Sequence, residues 1–186
     1  MMVNAVVNNK MPSRDILLNG DVCEMSVGYV IEHILELNAL DDMNEGILKD
    51  YEREPITLRI NTYGGYLSDM WALIDVIMAS ETPVITMAMG KIMSAGIPIL
   101  LAGDKRIGNK HSTYMIHNMT GGAYGQPDDV RIRYEEMKRS EKMMQEFILS
   151  RSKFPADKLT SIYEKKDDYY FSSKEALKYG LIDEVL

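Results

Sequence analysis

Apolar positions along the chain recur at two alternating periods, close to 2 in some stretches and 3.6 in others. Ile16 to Leu18 is a short apolar run ended by Asn19-Gly20, a pair that permits positive φ, and predicts a strand followed by a turn. From Ser26, Val27, Val30, Ile31, Ile34 and Leu35 return at helical spacing, predicting an amphipathic helix over Ser26 to Leu37 with Ser26 as N-cap. An acidic loop through Asp41, Asp42 and Glu45 is expected to follow. Pro55 to Asn61 predicts a strand, Tyr63-Gly64-Gly65 breaks it, and Leu67, Met70, Trp71, Ile74 and Ile77 restore the helical period. The unit repeats with a strand over Val84 to Met89, a link through Gly90 to Met93, and a short helix from Ser94 to about Ala102. Thr113 to His117 predicts a third strand, separated by Gly121 to Gln126 from a long helix running from Pro127 to about Arg151. Proline needs no intrahelical N–H at a first turn, so Pro127 and Pro155 mark helix starts, the second reaching Glu164. Ser173 to Tyr179 forms a last helix stopped by Gly180. Strands alternating with helices imply an α/β architecture of largely parallel strands joined by right-handed crossovers.

No repeat, low-complexity tract or linker divides the 186 residues, so a single domain over 1–186 is expected. Apolar residues make up 46% and charged residues 26%, and no run approaches the roughly 18 apolar residues a membrane crossing needs. Met1 to Asp15 lacks the charged, apolar and small-residue order of a secretory signal. With Cys23 as the one cysteine, no internal disulfide or all-cysteine metal site can form, and a reducing cytoplasm is the expected location. A net charge of -7 argues against a nucleic-acid surface, which draws on clustered Lys and Arg. The fifteen Met residues fill cores or line adaptable grooves.

Four segments bear chemistry. Gly90-Lys91-Ile92-Met93-Ser94-Ala95-Gly96 sets a serine between strand and helix among small residues, a nucleophile's position, although Ser is also a common N-cap. The N–H of Ala95, at a helix start, could hold an anion formed beside Ser94. His33, flanked by Glu32 and Glu36, and His111, in a loop, read as surface residues. His117 ends an apolar strand, where α/β sites gather, and is either a structural histidine or the base that Ser94 would need. Gly64-Gly65 is either a turn or a second oxyanion donor, and Asp167-Asp168 is either a solvated loop or the source of a carboxylate that orients His117.

Taken in order, Ile60-Asn61-Thr62-Tyr63-Gly64-Gly65, Met89-Gly90-Lys91-Ile92-Met93-Ser94-Ala95-Gly96, Tyr114-Met115-Ile116-His117-Asn118, Gly121-Gly122-Ala123-Tyr124-Gly125-Gln126, and Asp168 ahead of Phe171 to Asp183 resemble the ClpP peptidase family from about Ile16 to Leu186. The resemblance implies a ClpP/crotonase-like spiral of βαβ units with a protruding handle of strand plus long helix, about residues 121–151. It implies Ser94 as nucleophile, His117 as base and Asp168 as acid, with Asp167 the alternative if the alignment slips by one. Gly65 and Ala95 would be the oxyanion donors, and Gly121, Gly122, Ala123 and Tyr124 would bind a peptide by edge addition. It further implies a homo-oligomer of two stacked heptameric rings with no metal and no cofactor, cleaving peptides that a Clp-type ATPase unfoldase would feed in. Met1 to Asp15 has nothing like the Tyr-Ser-Arg stretch of ATPase-docking members, which leaves that partner open. Pro98, a longer 38–54 segment and a shortened 103–112 segment depart from the family pattern and point to a divergent branch, such as a phage-encoded member. The rival readings are an inactive ring subunit and a crotonase-fold protein that binds acyl-CoA.

Overall fold

The computed structural model describes residues 12–122 and 124–186, so Ala123 and the first eleven residues of the Met1 to Asp15 segment lie outside the described residues. In chain order the elements are β1 (Asp15–Asn19), α1 (Glu24–Ile47), β2 (Ile56–Thr62), α2 (Leu67–Ala79), β3 (Val84–Met93), α3 (Gly96–Ala102), β4 (Lys105–Gly108), β5 (Thr113–Ile116), α4 (Pro127–Arg151), α5 (Ala156–Lys165), β6 (Tyr169–Ser172), α6 (Ser173–Lys178) and β7 (Glu184–Val185). The expected α/β architecture with a mostly parallel sheet is present: β1, β2, β3, β4 and β7 lie side by side in that order, each pair parallel.

Strand β2 explains why one face of this sheet is covered. Ile56, Leu58, Ile60 and Thr62 alternate with half-buried Thr57, Arg59 and Asn61, and the three buried aliphatics join one cluster with Val30 and Ile34 of α1, Leu73 and Ile74 of α2, and all the aliphatics of α3. Full burial of each such side chain contributes about 1.5–3 kcal/mol. Every residue of α3 is buried, which makes this short helix the centre of the domain. Pro98 sits within its first turn, where no intrahelical N–H bond is lost.

Two departures from the expected elements concern the ends of helices. Helix α1 starts at Glu24 and continues to Ile47, so the segment expected as an acidic loop is helical. Asp41 turns inward and is fully buried, where it accepts from Arg14, from Tyr51 Oη at 2.6 Å and from Thr82 Oγ1 at 2.6 Å. Burial opposes its charge, but these donors outweigh that and hold its carboxyl at about 2. Ser26 is the third residue of α1 rather than its cap; its Oγ accepts from the Cys23 N–H at 3.2 Å. The second departure is at β3, which runs ten residues to Met93, with α3 beginning only at Gly96.

Strand β3 divides its far edge between two partners. Ile85 to Ala88 pair with β4, and Lys91 to Met93 pair with β5. Between them Gly90 takes φ +61, and an added Cβ there would lie 2.9 Å from Asn61 Oδ1. The pairing with β2 slips at the same place, from Ile60 against Ala88 to Thr62 against Ile92. This bulge swings the end of β3 away from the main sheet to meet β5, and β5 carries β6 antiparallel on its outer edge.

Helix α4 matches its expected bounds but buries only Met144 and Ile148, so its first turns stand in solvent with Ile132 and Tyr134 exposed. The stretch 117–126 before it forms no strand among the described residues, unlike the strand expected for a handle. Gly121 instead approaches the helix, where an added Cβ would meet Met137 Cε at 2.9 Å. No helix among the described residues is long and apolar enough to cross a membrane.

Candidate active site

Ser94 does not cap α3. It takes φ +51, a left-handed conformation that costs a non-glycine residue about 1–2 kcal/mol and persists only where surroundings impose it. Its N–H donates to Met115 O at 3.0 Å and its carbonyl accepts from the Ile97 N–H at 3.0 Å, so β5 on one side and α3 on the other fix the turn. The third constraint is Gly64. A Cβ on that residue would lie 2.7 Å from Ser94 Cβ, 3.0 Å from Met93 O and 3.1 Å from Ala95 N, so only glycine lets the two turns touch.

The same contact gathers amide donors. Gly64 N–H is occupied by Thr62 Oγ1 at 2.9 Å, and Gly64 O accepts from the Val22 N–H at 2.8 Å. Gly65 follows at φ +155 with its Cα so close to Val22 that a Cβ would meet Val22 O at 2.1 Å. Neither the Gly65 N–H nor the Ala95 N–H has an acceptor among the described residues. Ala95 directly follows Ser94, and Gly65 follows the glycine packed against it. Thr62 and Val22, which hold this arrangement, carry no chemistry of their own and were not singled out from sequence. A Thr buried at the end of an apolar strand just before a glycine pair is the signal that could have found the first.

His117 is the residue after β5, and its Nε2 lies 2.9 Å from Ser94 Oγ. With Nδ1 carrying the ring proton, Nε2 accepts from the serine hydroxyl. Ile116 pairs with Tyr169 across the antiparallel β5–β6 edge, so the next position out sets His117 opposite Asp168. Asp168 Oδ1 lies 3.6 Å from His117 Nδ1, beyond hydrogen-bond reach, and the Asp168 side chain is 54% exposed. The carboxylate that lies near His117 is that of Asp168; among the described residues Asp167 makes no ion pair with it.

The other sequence candidates fall elsewhere. Gly121, Gly122 and Tyr124 lie on the stretch between His117 and α4, with Tyr124 86% exposed, and Ala123 of the same group is outside the described residues. His111 is exposed, and His33 is half-buried with Nδ1 3.0 Å from Tyr29 O and its ring against Tyr29. The structure thus brings together Ser94, His117, Asp168, Gly65 and Ala95.

A model of the Clp protease family matches residues 2–186. The chain is also 29% identical over 178 residues to the ATP-dependent Clp protease proteolytic subunit 2 of Treponema pallidum (strain Nichols), an alignment that covers 95% of this chain and 83% of that protein.

Proposed function

Because the chain belongs to the Clp protease family, we propose that it is a serine endopeptidase whose nucleophile is Ser94, whose general base is His117 and whose orienting acid is Asp168. The observation that carries this reading is the 2.9 Å separation of His117 Nε2 and Ser94 Oγ at a strained turn beside two free amides. As Oγ attacks the peptide carbonyl, Nε2 takes its proton, and the Gly65 and Ala95 N–H groups hold the oxygen that becomes negative. The imidazolium returns the proton to the departing amine. Water then enters and gives a proton to the same nitrogen as its oxygen bonds the acyl carbon; the Oγ–carbon bond breaks, and Ser94 Oγ takes the proton back from Nε2. Asp168, moved the short distance into hydrogen-bond reach of Nδ1, fixes the tautomer and stabilises the imidazolium without becoming protonated.

The chamber belongs to the same proposal. Exposed Met25, Tyr29 and Ile47 on α1 and Ile132 and Tyr134 on α4 support burial against further copies of the chain. We take the assembly to be stacked heptameric rings in the cytoplasm, with residues 121–151 as the handle and Gly121 to Tyr124 as the edge that receives a peptide. A Clp-type ATPase is the natural source of unfolded substrate.

The experiment is labelling of the assembled protein with a fluorophosphonate probe beside a peptide-cleavage assay. Labelling at Ser94 should vanish in Ser94→Ala and slow by more than about 100-fold in His117→Ala. The 3.6 Å gap at Asp168 favours a second reading, a catalytically idle ring subunit. An assembled particle that neither labels nor cleaves selects that reading, and turnover of acyl-CoA without peptide cleavage selects a crotonase-like one.

A further inference from the structure

Asp168 is held loosely from one side. The chain leaves α5 through Lys166 at φ +57, and Asp167 is the one residue between that turn and Asp168. Whatever sets the carboxylate's position must act from the other side, through Tyr169, the first residue of β6. The Tyr169 ring turns into the layer behind β6, where it stands against Phe154 and Phe171.

Behind β6 Tyr169 meets a single cation. Lys158 Nζ, from α5, donates to Tyr169 Oη and to Tyr179 Oη, the latter at 2.8 Å, and lies 3.8 Å from the centre of the Tyr169 ring. The two phenolic oxygens are themselves 3.2 Å apart. The rings are packed from behind, Tyr179 on Phe154 at 4.7 Å and Tyr169 on Phe171 at 5.4 Å between centres. Among the described residues Lys158 makes no ion pair with a carboxylate. Its charge is used on two phenols and an aromatic face, so that this α5 lysine ties β6 to the residue that follows α6.

Lys158, Tyr169, Asp167 and Asp168 also line one cavity of about 470 Å³, and the half-exposed Asp168 side chain is not packed in place. Resting on the peptidase reading above, we infer that Lys158 is a positioning residue for the catalytic acid: it pins Tyr169, and through Tyr169 it sets where Asp168 meets the His117 ring. It touches neither substrate nor the reacting atoms.

The test measures peptide cleavage by the assembled protein for Lys158→Met, Lys158→Arg and Tyr169→Phe, each also combined with Asp168→Asn. Lys158→Met should lower kcat about tenfold with KM within about twofold, since a misplaced orienting group weakens the transition state rather than ground-state binding. Lys158→Arg keeps a cation over the ring and should retain kcat within about threefold, while Tyr169→Phe, which removes one hydroxyl only, should lose part of it. With Asp168→Asn already present, Lys158→Met and Tyr169→Phe should each change kcat by less than about twofold, because the group they position no longer acts. An equal loss in both backgrounds, or no loss in either, overturns the inference. A wild-type particle that fails to label with fluorophosphonate overturns the peptidase reading itself, and the inference with it.

Discussion

Gly64 is the position where a single methyl group should disable Ser94 without touching it chemically. In Gly64→Ala the new Cβ would lie 2.7 Å from Ser94 Cβ, 3.0 Å from Met93 O and 3.1 Å from Ala95 N, at φ +105. Carbon atoms pack at about 3.5–4.0 Å, so the two turns must separate by about 1 Å. None of the three obstructing atoms is the end of a flexible side chain, so the separation has to come from the backbone that carries Ser94 and the Ala95 N–H. The unfavourable φ alone costs about 1–2 kcal/mol, and the overlap adds to it, for an expected destabilisation of about 2–4 kcal/mol. A displacement of about 1 Å at the nucleophile costs on the order of 100-fold in rate. The assay is the second-order rate of fluorophosphonate labelling, read beside the denaturation midpoint of the same sample. Gly28→Ala is the control, since a Cβ there meets nothing within 4 Å and helix α1 gains up to about 1 kcal/mol from the exchange. If Gly64→Ala labels within twofold of wild type, the claim that this glycine sets the Ser94 turn is wrong.

Two further predictions concern stability. Asp41 has its carboxyl held at about 2 against an ordinary 3.8, so its contribution of roughly 2–3 kcal/mol is complete above about pH 4 and is lost as pH falls through about 2. Asp41→Asn should cost about 3 kcal/mol in urea denaturation at pH 7 and less than about 1 kcal/mol near pH 2; an undiminished difference in acid would count against the buried charge. Arg151 donates to Leu101 O at 3.0 Å and to Ala102 O and Gly103 O at 3.2 Å, closing the carbonyl end of α3. Arg151→Met should therefore lower stability by about 1–3 kcal/mol, and a change under about 0.5 kcal/mol would mean that other donors reach those carbonyls.

What was legible in the sequence was whatever is decided within about a dozen neighbouring residues. The period of α2 and the proline at the start of α4 are local, and both helices lie where the spacing places them. Strands β4, β6 and β7, of four, four and two residues, have too few positions to show a period, and they are strands only because β3, β5 and β4 offer edges. The acidic stretch 41–45 reads as a loop until Arg14 and Thr82, distant in the chain, join Tyr51 in giving Asp41 a reason to be buried. The site divides the same way. The residue types at 94 and 117 and the glycines at 64 and 65 were visible as candidates, but that Ser94 sits in a left-handed turn rather than as the cap of α3 is decided by Gly64 and Met115, from outside its own segment. That Asp168 is the one near His117 shows only in the folded chain, where its carboxylate lies 3.6 Å from Nδ1. No local pattern announced Lys158, because its partners are two tyrosines from later elements. A resemblance puts residues in order without giving distances, and here the distances differ: 2.9 Å from imidazole to hydroxyl, 3.6 Å from imidazole to carboxylate. Three independent contacts hold the short one, and the long one depends on a single four-residue strand braced by a lysine, so the adjustable part of the relay lies at β6 and not at the serine.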